Sequence, residues 1–142
     1  MAELSFTIPG KPFGKQRART TRQGRMYTPK ETVAFESLVR AMALEIFSQP
    51  IEGPIGVKVL AIFEPPPSWS KRKRAAALNT WHTQKPDSDN IIKAVLDGLN
   101  RVAFADDSQV SSQHCEKVWG IRAQTLVTLT LLGNVSAPHV DP

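Results

Sequence analysis

The sequence contains a single cysteine, Cys115, and no apolar run long enough to span a bilayer. One cysteine excludes an internal disulfide and a zinc site built on several thiolates, which favours a reducing compartment. The missing apolar run excludes a transmembrane helix, and the first residues lack the basic start of a secretory signal. These absences predict a cytoplasmic protein that makes no membrane contact.

Negative charge is missing from one stretch near the N-terminus. Residues 11–30 contain no Asp or Glu, and the whole chain has a net charge of +5. Basic residues in this stretch and in a second cluster predict contacts with nucleic-acid phosphates, although a solvated helix face is the commoner explanation for residues 71–74. The candidate DNA-binding residues are Lys11, Lys15, Arg17, Arg19, Arg22, Arg25, Lys71, Arg72, Lys73, Arg74 and Lys85.

At 142 residues the chain is expected to form one domain over residues 1–133, followed by a flexible tail over 134–142. Periodicity predicts strands at 4–8, 55–63, 109–119 and 125–132, the last two joined as a hairpin through 120–123. It predicts a first helix that is capped by Thr28 and buries the apolar residues between 33 and 46, a short helix at 71–78, and a helix at 89–102. The order strand, helix, strand, helix, strand, strand predicts an α+β fold with two main helices packed on a mixed sheet.

Two pairs of aspartates flank the clearest predicted helix. Asp87 and Asp89 lie at its start, and Asp106 and Asp107 lie in the turn that follows it. A single Asp at a helix start is most often a cap, but a cap needs only one carboxylate. Magnesium takes oxygen ligands from one or two carboxylates, waters and substrate phosphates, so it would explain the cluster. If both ends of the helix approach one sheet edge, Asp107 completes a metal site.

Other residues near these acids have two possible roles each. Lys93, one turn after Asp89, either stabilises the reacting phosphate or forms an ion pair with Asp89 or Asp97. Asp97 is expected either to be structural or to support the metal ligands, and Asp106 either starts the turn or binds metal. His82 is placed to be a general base, but a hydrogen-bonded surface histidine is the more common case. Packing, rather than base stacking, is expected of Trp69, Trp81 and Trp119.

Two motifs, KPDSDNIIKAVLDGL at 85–99 and FADDSQV at 104–110, together resemble the RusA family of Holliday-junction resolvases. The segments at 10–17, 27–30 and 67–70 are similar to phage and prophage members. The resemblance implies that Asp87, Asp89 and Asp107 are the catalytic, metal-binding carboxylates and that Lys93 is the catalytic lysine. It implies magnesium as the cofactor, with manganese as a substitute, and a homodimer that cuts a four-way junction in DNA recombination and repair.

The chain departs from the shorter founding member of that family in its longer connection at 68–84 and its more basic N-terminal loop. Both differences bear on the substrate. The prediction is therefore a magnesium-dependent, structure-specific endonuclease that resolves Holliday junctions or related branched DNA by phosphodiester hydrolysis. Two alternatives stay open: a nuclease for flaps and forks, and a basic DNA-binding or architectural protein without catalysis.

Overall fold

The computed structural model describes residues 2–141 and is built on a mixed four-stranded β-sheet. Its elements, in chain order, are β1 (Glu3–Pro9), β2 (Arg19–Thr20), β3 (Met26–Tyr27), α1 (Lys30–Ile46), β4 (Ile55–Phe63), α2 (Lys71–Ala77), α3 (Ser88–Leu99), β5 (Val110–Trp119) and β6 (Gln124–Leu131). The predicted α+β class with a mixed sheet is confirmed. Met1 and Pro142, which belong to the predicted domain and tail, lie outside the described residues.

The sheet order is β1-β6-β4-β5, with β4 and β5 parallel and the other neighbours antiparallel. The strands β2 and β3 form a separate short hairpin inside the basic segment. No helix among residues 2–141 combines the length and the apolar character that crossing a membrane requires.

One face of the sheet carries the hydrophobic core. On β4, Val57 and Val59 are buried whereas Lys58 between them is exposed, because successive side chains of a strand point to opposite faces. The helices α1 and α3 pack against each other where Gly98 faces Val39. A Cβ on Gly98 would lie 2.6 Å from the Val39 Cβ, so the glycine permits the close approach of the two helices.

The prediction that Thr28 caps α1 is wrong. Pro29 occupies the N-cap position, with φ −55° and ψ 147°, and no side chain caps the helix. The amides of Thr32 and Val33 instead donate to the Pro29 carbonyl oxygen, at 3.1 and 3.2 Å. The predicted apolar stripe is only partly buried, since Val33 and Leu44 are exposed on the outer face of the helix.

The predicted hairpin of the last two strands is also wrong. The strands β5 and β6 do not pair with each other, because β4 lies between them and pairs with both. The connection at 120–123 crosses the end of β4, where the Gly120 amide donates to the Phe63 carbonyl oxygen at 2.8 Å. Four residues suffice for this crossing, since two strand spacings amount to only about 10 Å.

The helix α3 ends at Leu99 rather than at residue 102. The chain turns away at Arg101, whose φ of 69° lies in the left-handed region. The amide of Ala103 then donates to the Leu99 carbonyl oxygen at 2.9 Å. This turn directs the chain toward the second aspartate pair.

Candidate active site

The first aspartate pair lies at the N-terminus of α3. Asp87 occupies the N-cap position, with φ −72° and ψ 149°, but its carboxylate makes no capping hydrogen bond. Its Oδ2 accepts from the Lys85 Nζ at 3.1 Å, and 49% of the side chain is exposed. Asp89, in the first turn, is exposed, and its Oδ1 accepts from the Asn90 amide at 2.9 Å. Both carboxylates therefore keep oxygens available to a ligand.

Lys93 is exposed on α3, one turn beyond Asp89. Among residues 2–141 it forms no salt bridge, so the predicted ion pair with Asp89 or Asp97 is absent there. Asp97 pairs with Lys15 instead, and the Lys15 Nζ also donates to the Glu36 Oε1 at 3.1 Å. The structural role expected of Asp97 is thus observed, and Lys15 fastens the basic loop to both helices.

The second aspartate pair has two different environments. The Asp106 Oδ2 accepts from the Ser108 amide at 3.0 Å, and the Gln109 Oε1 accepts from the Asp106 amide at 3.2 Å, which forms a capping box. Hydrogen bonds from Ser108 lower the pKa of Asp106 below its usual value. Asp107 is exposed at the start of this 3-10 turn. Of the two, Asp107 is therefore the one available to a ligand.

The two pairs lie at opposite ends of α3. The start of α3 packs beside residues 113–115 of β5, around a small pocket that Asp89 lines. The turn with Asp107 adjoins the other end, since Phe104 bridges both Asn100 and Ile51, and the Gln109 Nε2 donates to the Ile51 carbonyl oxygen at 2.9 Å. A helix of 12 residues is about 18 Å long, so its ends are well separated.

A metal site made from three residues of one chain is accordingly not formed. Within residues 2–141, no three His, Cys, Asp or Glu side chains are grouped so that they could hold an ion. Asp87, Asp89 and Asp107, which the expected convergence would bring together, form no such group there. Cys115 lines the same small pocket as Asp89, and burial raises the pKa of its thiol to about 11.

A groove of about 490 Å³ adjoins the first aspartate pair, between the basic loop and the segment before α3. Lys11, Lys15, Lys85 and Asp87 line it, so three predicted DNA-binding residues lie around a candidate catalytic carboxylate. Of these three, Lys15 is already paired with Glu36 and Asp97. Gly14 permits the contact between loop and segment, because a Cβ there would lie 2.4 Å from the Pro86 Cβ. A larger depression of about 910 Å³ near the other end of α3 has no basic lining residue.

The remaining basic candidates are exposed on the hairpin and on α2. They are Arg17, Arg19, Arg22 and Arg25 in the hairpin segment and Lys71, Arg72, Lys73 and Arg74 on the helix. The Lys73 Nζ also lies 4.1 Å above the ring of Trp69. Contact of these residues with DNA stays a prediction.

His82 is not the surface residue expected of a lone histidine in a loop. Only 5% of it is exposed, and its ring stacks on Phe63 with 3.9 Å between centroids and packs on Trp119 at 4.3 Å. Burial, followed by the positive charges of Lys117 and Lys11, lowers its pKa. His82 is therefore an aromatic core residue that stays neutral at neutral pH.

One feature of the site, the role of Lys117, was missed in the sequence. Lys117 bonds to the backbone just before Asp87, with its Nζ 2.6 Å from the Gln84 carbonyl oxygen and 2.8 Å from that of Pro86. The sequence pattern that could have revealed Lys117 is its position on the same strand face as Cys115 and Trp119, two residues from each. Packing of Trp69 on Trp119 is confirmed at 5.1 Å, but Trp81 is 66% exposed, so the expectation of packing is wrong there.

Comparison with known proteins identifies the family. The family model described as endodeoxyribonuclease RusA matches residues 9–130, which include α3 and both aspartate pairs. The chain belongs to the RusA family. An uncharacterized protein YqaN of Bacillus subtilis (strain 168) is 34% identical over 116 residues, which cover 75% of this chain and 81% of the relative. Membership of the RusA family makes the chain an enzyme of the endodeoxyribonuclease class.

Proposed function

We propose that this RusA-family enzyme resolves Holliday junctions, or closely related branched DNA, by magnesium-dependent hydrolysis of phosphodiester bonds. The observation that carries the proposal is the Asp87 carboxylate, which lies at a helix N-cap yet makes no capping bond and lines a groove with Lys11 and Lys85. A cap would direct this carboxylate into the helix. Its exposure beside two lysines suits contact with a metal ion and a DNA phosphate instead.

The donor chemistry at the start of α3 fits magnesium. Asp87 and Asp89 supply hard oxygen ligands, and magnesium is commonly held by one or two carboxylates while substrate phosphates and waters fill its other positions. Manganese accepts the same ligands. When bound, the ion polarises the phosphate and activates a water for attack.

Each remaining residue at this end has a role that follows from its position. Lys93 places a positive charge one turn beyond Asp89, where it stabilises negative charge that develops on the phosphate. Lys11 and Lys85 bind neighbouring phosphates and offset the repulsion between DNA and the carboxylates. The exposed arginines of the hairpin and the basic residues of α2 extend this attraction along the DNA arms.

We further propose that Asp107 acts on the site of a second copy of the chain in a homodimer. Asp107 lies at the opposite end of α3 from Asp87 and Asp89, and no group of three ligands forms within residues 2–141. A two-fold related copy would bring its Asp107 to the first pair, and the reverse contact would then complete a second site. Two sites related in this way suit the cutting of two strands.

The test is nicking of a synthetic four-way junction in magnesium, with linear duplex, flap and fork substrates for comparison. We expect the wild type to nick the junction symmetrically, EDTA to abolish nicking, and manganese to restore it. Asp87→Asn should lower the nicking rate by more than about a hundredfold. This loss is larger than that caused by removing a residue that only orients a metal ligand, which costs about 10- to 100-fold. Asp141→Asn, which changes an exposed acid of the tail, is the matched control and should cut normally.

Three results would count against the proposal. Binding of the junction without nicking in any metal would favour an architectural protein. Equal cutting of linear duplex would contradict selectivity for branched DNA. Preference for the flap or fork over the four-way junction would assign the enzyme to that substrate instead.

A further inference from the structure

Lys117 connects β5 to the segment that leads into the first aspartate pair. It pairs with the buried Ala61 in the parallel β4–β5 register, so its side chain projects from the helix-covered face of the sheet. Its Nζ donates to the carbonyl oxygens of Gln84 and Pro86, at 2.6 and 2.8 Å. Its own carbonyl oxygen accepts from the His82 amide at 3.0 Å. One residue thus holds the segment 82–86 at three points.

We propose that Lys117 is a positioning residue that fixes the backbone before α3 so that Asp87 and Asp89 are held where they bind the metal ion. This inference rests on the proposed function, since it assigns a role relative to that metal site. Lys117 contacts neither carboxylate and acts through the main chain of residues 84–86. Pro86 is the last residue before Asp87, so its carbonyl is anchored one peptide away from the first ligand.

The ammonium group of Lys117 donates to these two carbonyl oxygens. Among residues 2–141 it forms no salt bridge, so its two hydrogen bonds go to neutral carbonyl groups. Such charge-assisted bonds are stronger than bonds between neutral groups. A hydrophobic residue at this position would leave both carbonyls without this donor.

The segment is also held from its other side. Gly14 packs against Pro86, and the Lys15 amide donates to the Asn90 carbonyl oxygen at 2.9 Å. The basic loop and Lys117 therefore enclose the backbone that carries Asp87. Loss of Lys117 removes one of the two supports while the fold of α3 and of the sheet stays in place.

The experiment compares Lys117→Met, which keeps the length of the side chain but removes its donors, with Lys117→Arg, which keeps charge and donors. Lys58→Met is the matched control, because it removes the same charge from the exposed face of the neighbouring strand. Four quantities are measured: amide hydrogen exchange over residues 84–90, Mn²⁺ binding by electron paramagnetic resonance, the nicking rate, and junction affinity in EDTA.

In Lys117→Met we expect exchange over residues 84–90 to accelerate at least about tenfold, because two charge-assisted bonds are lost. Mn²⁺ affinity and the nicking rate should each fall by about 10- to 100-fold, as for other residues that orient metal ligands. Junction affinity in EDTA should change less than about threefold. Lys117→Arg should recover most of both losses, and Lys58→Met should match the wild type.

Two outcomes would overturn the inference. One is exchange and Mn²⁺ binding in Lys117→Met within about twofold of the wild type. The other is a loss of junction affinity in Lys117→Met, together with a salt dependence of that affinity that is weaker by about one phosphate contact. This result would make Lys117 a residue that binds DNA directly. If Lys117→Met fails to fold, Lys117→Gln, which keeps an uncharged donor group on a shorter side chain, must give intermediate exchange and Mn²⁺ affinity. If the wild type nicks no junction, the proposed function is wrong. Amide exchange and Mn²⁺ binding would still test the role of Lys117.

Discussion

Hydrogen bonds divide the four aspartates into different roles. The carboxylate of Asp106 is engaged by the Ser108 amide in a capping box, whereas that of Asp87 makes no cap although it occupies an N-cap position. The sequence supplies the same residue type at both helix starts. Only the local backbone determines which carboxylate is used by the fold, so sequence reasoning could identify the candidate residues but could not assign Asp106.

The prediction for His82 was wrong, since this residue was expected on the surface but is buried against Phe63 and Trp119. The local sequence around His82 does not predict this burial. Residues 79–82 pair with the end of β5, through contacts such as the bond between the His82 amide and the Lys117 carbonyl oxygen. That pairing turns His82 toward the core and Trp81 toward solvent, a long-range effect that local patterns do not contain.

The burial of His82 predicts a pH dependence of stability. Its folded-state pKa is lower than the ordinary value of 6.5, so the unfolded chain binds the proton more tightly than the folded one. The stability that neutral, buried His82 contributes is therefore fully present above about pH 6.5. It is lost as the pH falls below that value toward the folded-state pKa. In urea unfolding between about pH 7.5 and 5.5, the wild type should lose more stability than His82→Phe does.

The control for this prediction is His139→Phe in the exposed tail, which should keep the slope of the wild type. Equal slopes for the wild type and His82→Phe would contradict the assigned burial. The comparison concerns the slope with pH, because the substitution itself also changes the packing at every pH.

At the scale of elements, local periodicity predicted the helices and strands to within a few residues. The strand at 55–63 agrees with β4, and the helices at 71–78 and 89–102 correspond to α2 and α3. Strand partners were not predictable in the same way. The nearness of β5 and β6 in the chain suggested a hairpin, but the pairing with β4 depends on residues more than 50 positions away.

Packing between α1 and α3 predicts the effect of enlarging Gly98. In Gly98→Ala the new Cβ would lie 2.6 Å from the Val39 Cβ and 3.2 Å from the Glu36 carbonyl oxygen, so the helices must separate. Overpacking of this kind costs about 2 kcal/mol, more than the gain of about 1 kcal/mol in helix propensity. Urea unfolding should show a net loss of about 1 kcal/mol or more.

Gly133→Ala is the control, since no heavy atom lies within 4 Å of the added Cβ. It should change the free energy of unfolding by less than about 0.5 kcal/mol. A Gly98→Ala protein as stable as the wild type would mean that α1 and α3 are not packed as closely as described.

In the whole molecule, the basic loop and the two aspartate pairs are arranged around α3. The basic loop and the segment before α3 meet at Asp87, which places Lys11 and Lys85 in the groove of the candidate site. The sequence predicted these residue types and their flanking order. It did not predict that α3 keeps Asp107 away from Asp87, because the spacing of residues along a chain does not fix which end of a helix the following turn adjoins.

Each catalytic site is proposed to combine Asp87 and Asp89 of one copy with Asp107 of another. The most direct test mixes Asp87→Asn and Asp107→Asn proteins, refolds them together, and measures nicking of a four-way junction in magnesium. In a mixed dimer one site carries both substitutions and the other is intact. Equal mixing should therefore restore about a quarter of the wild-type sites, although each variant alone is inactive. A mixture as inactive as its components would contradict the claim, because sites confined to one chain would all be defective.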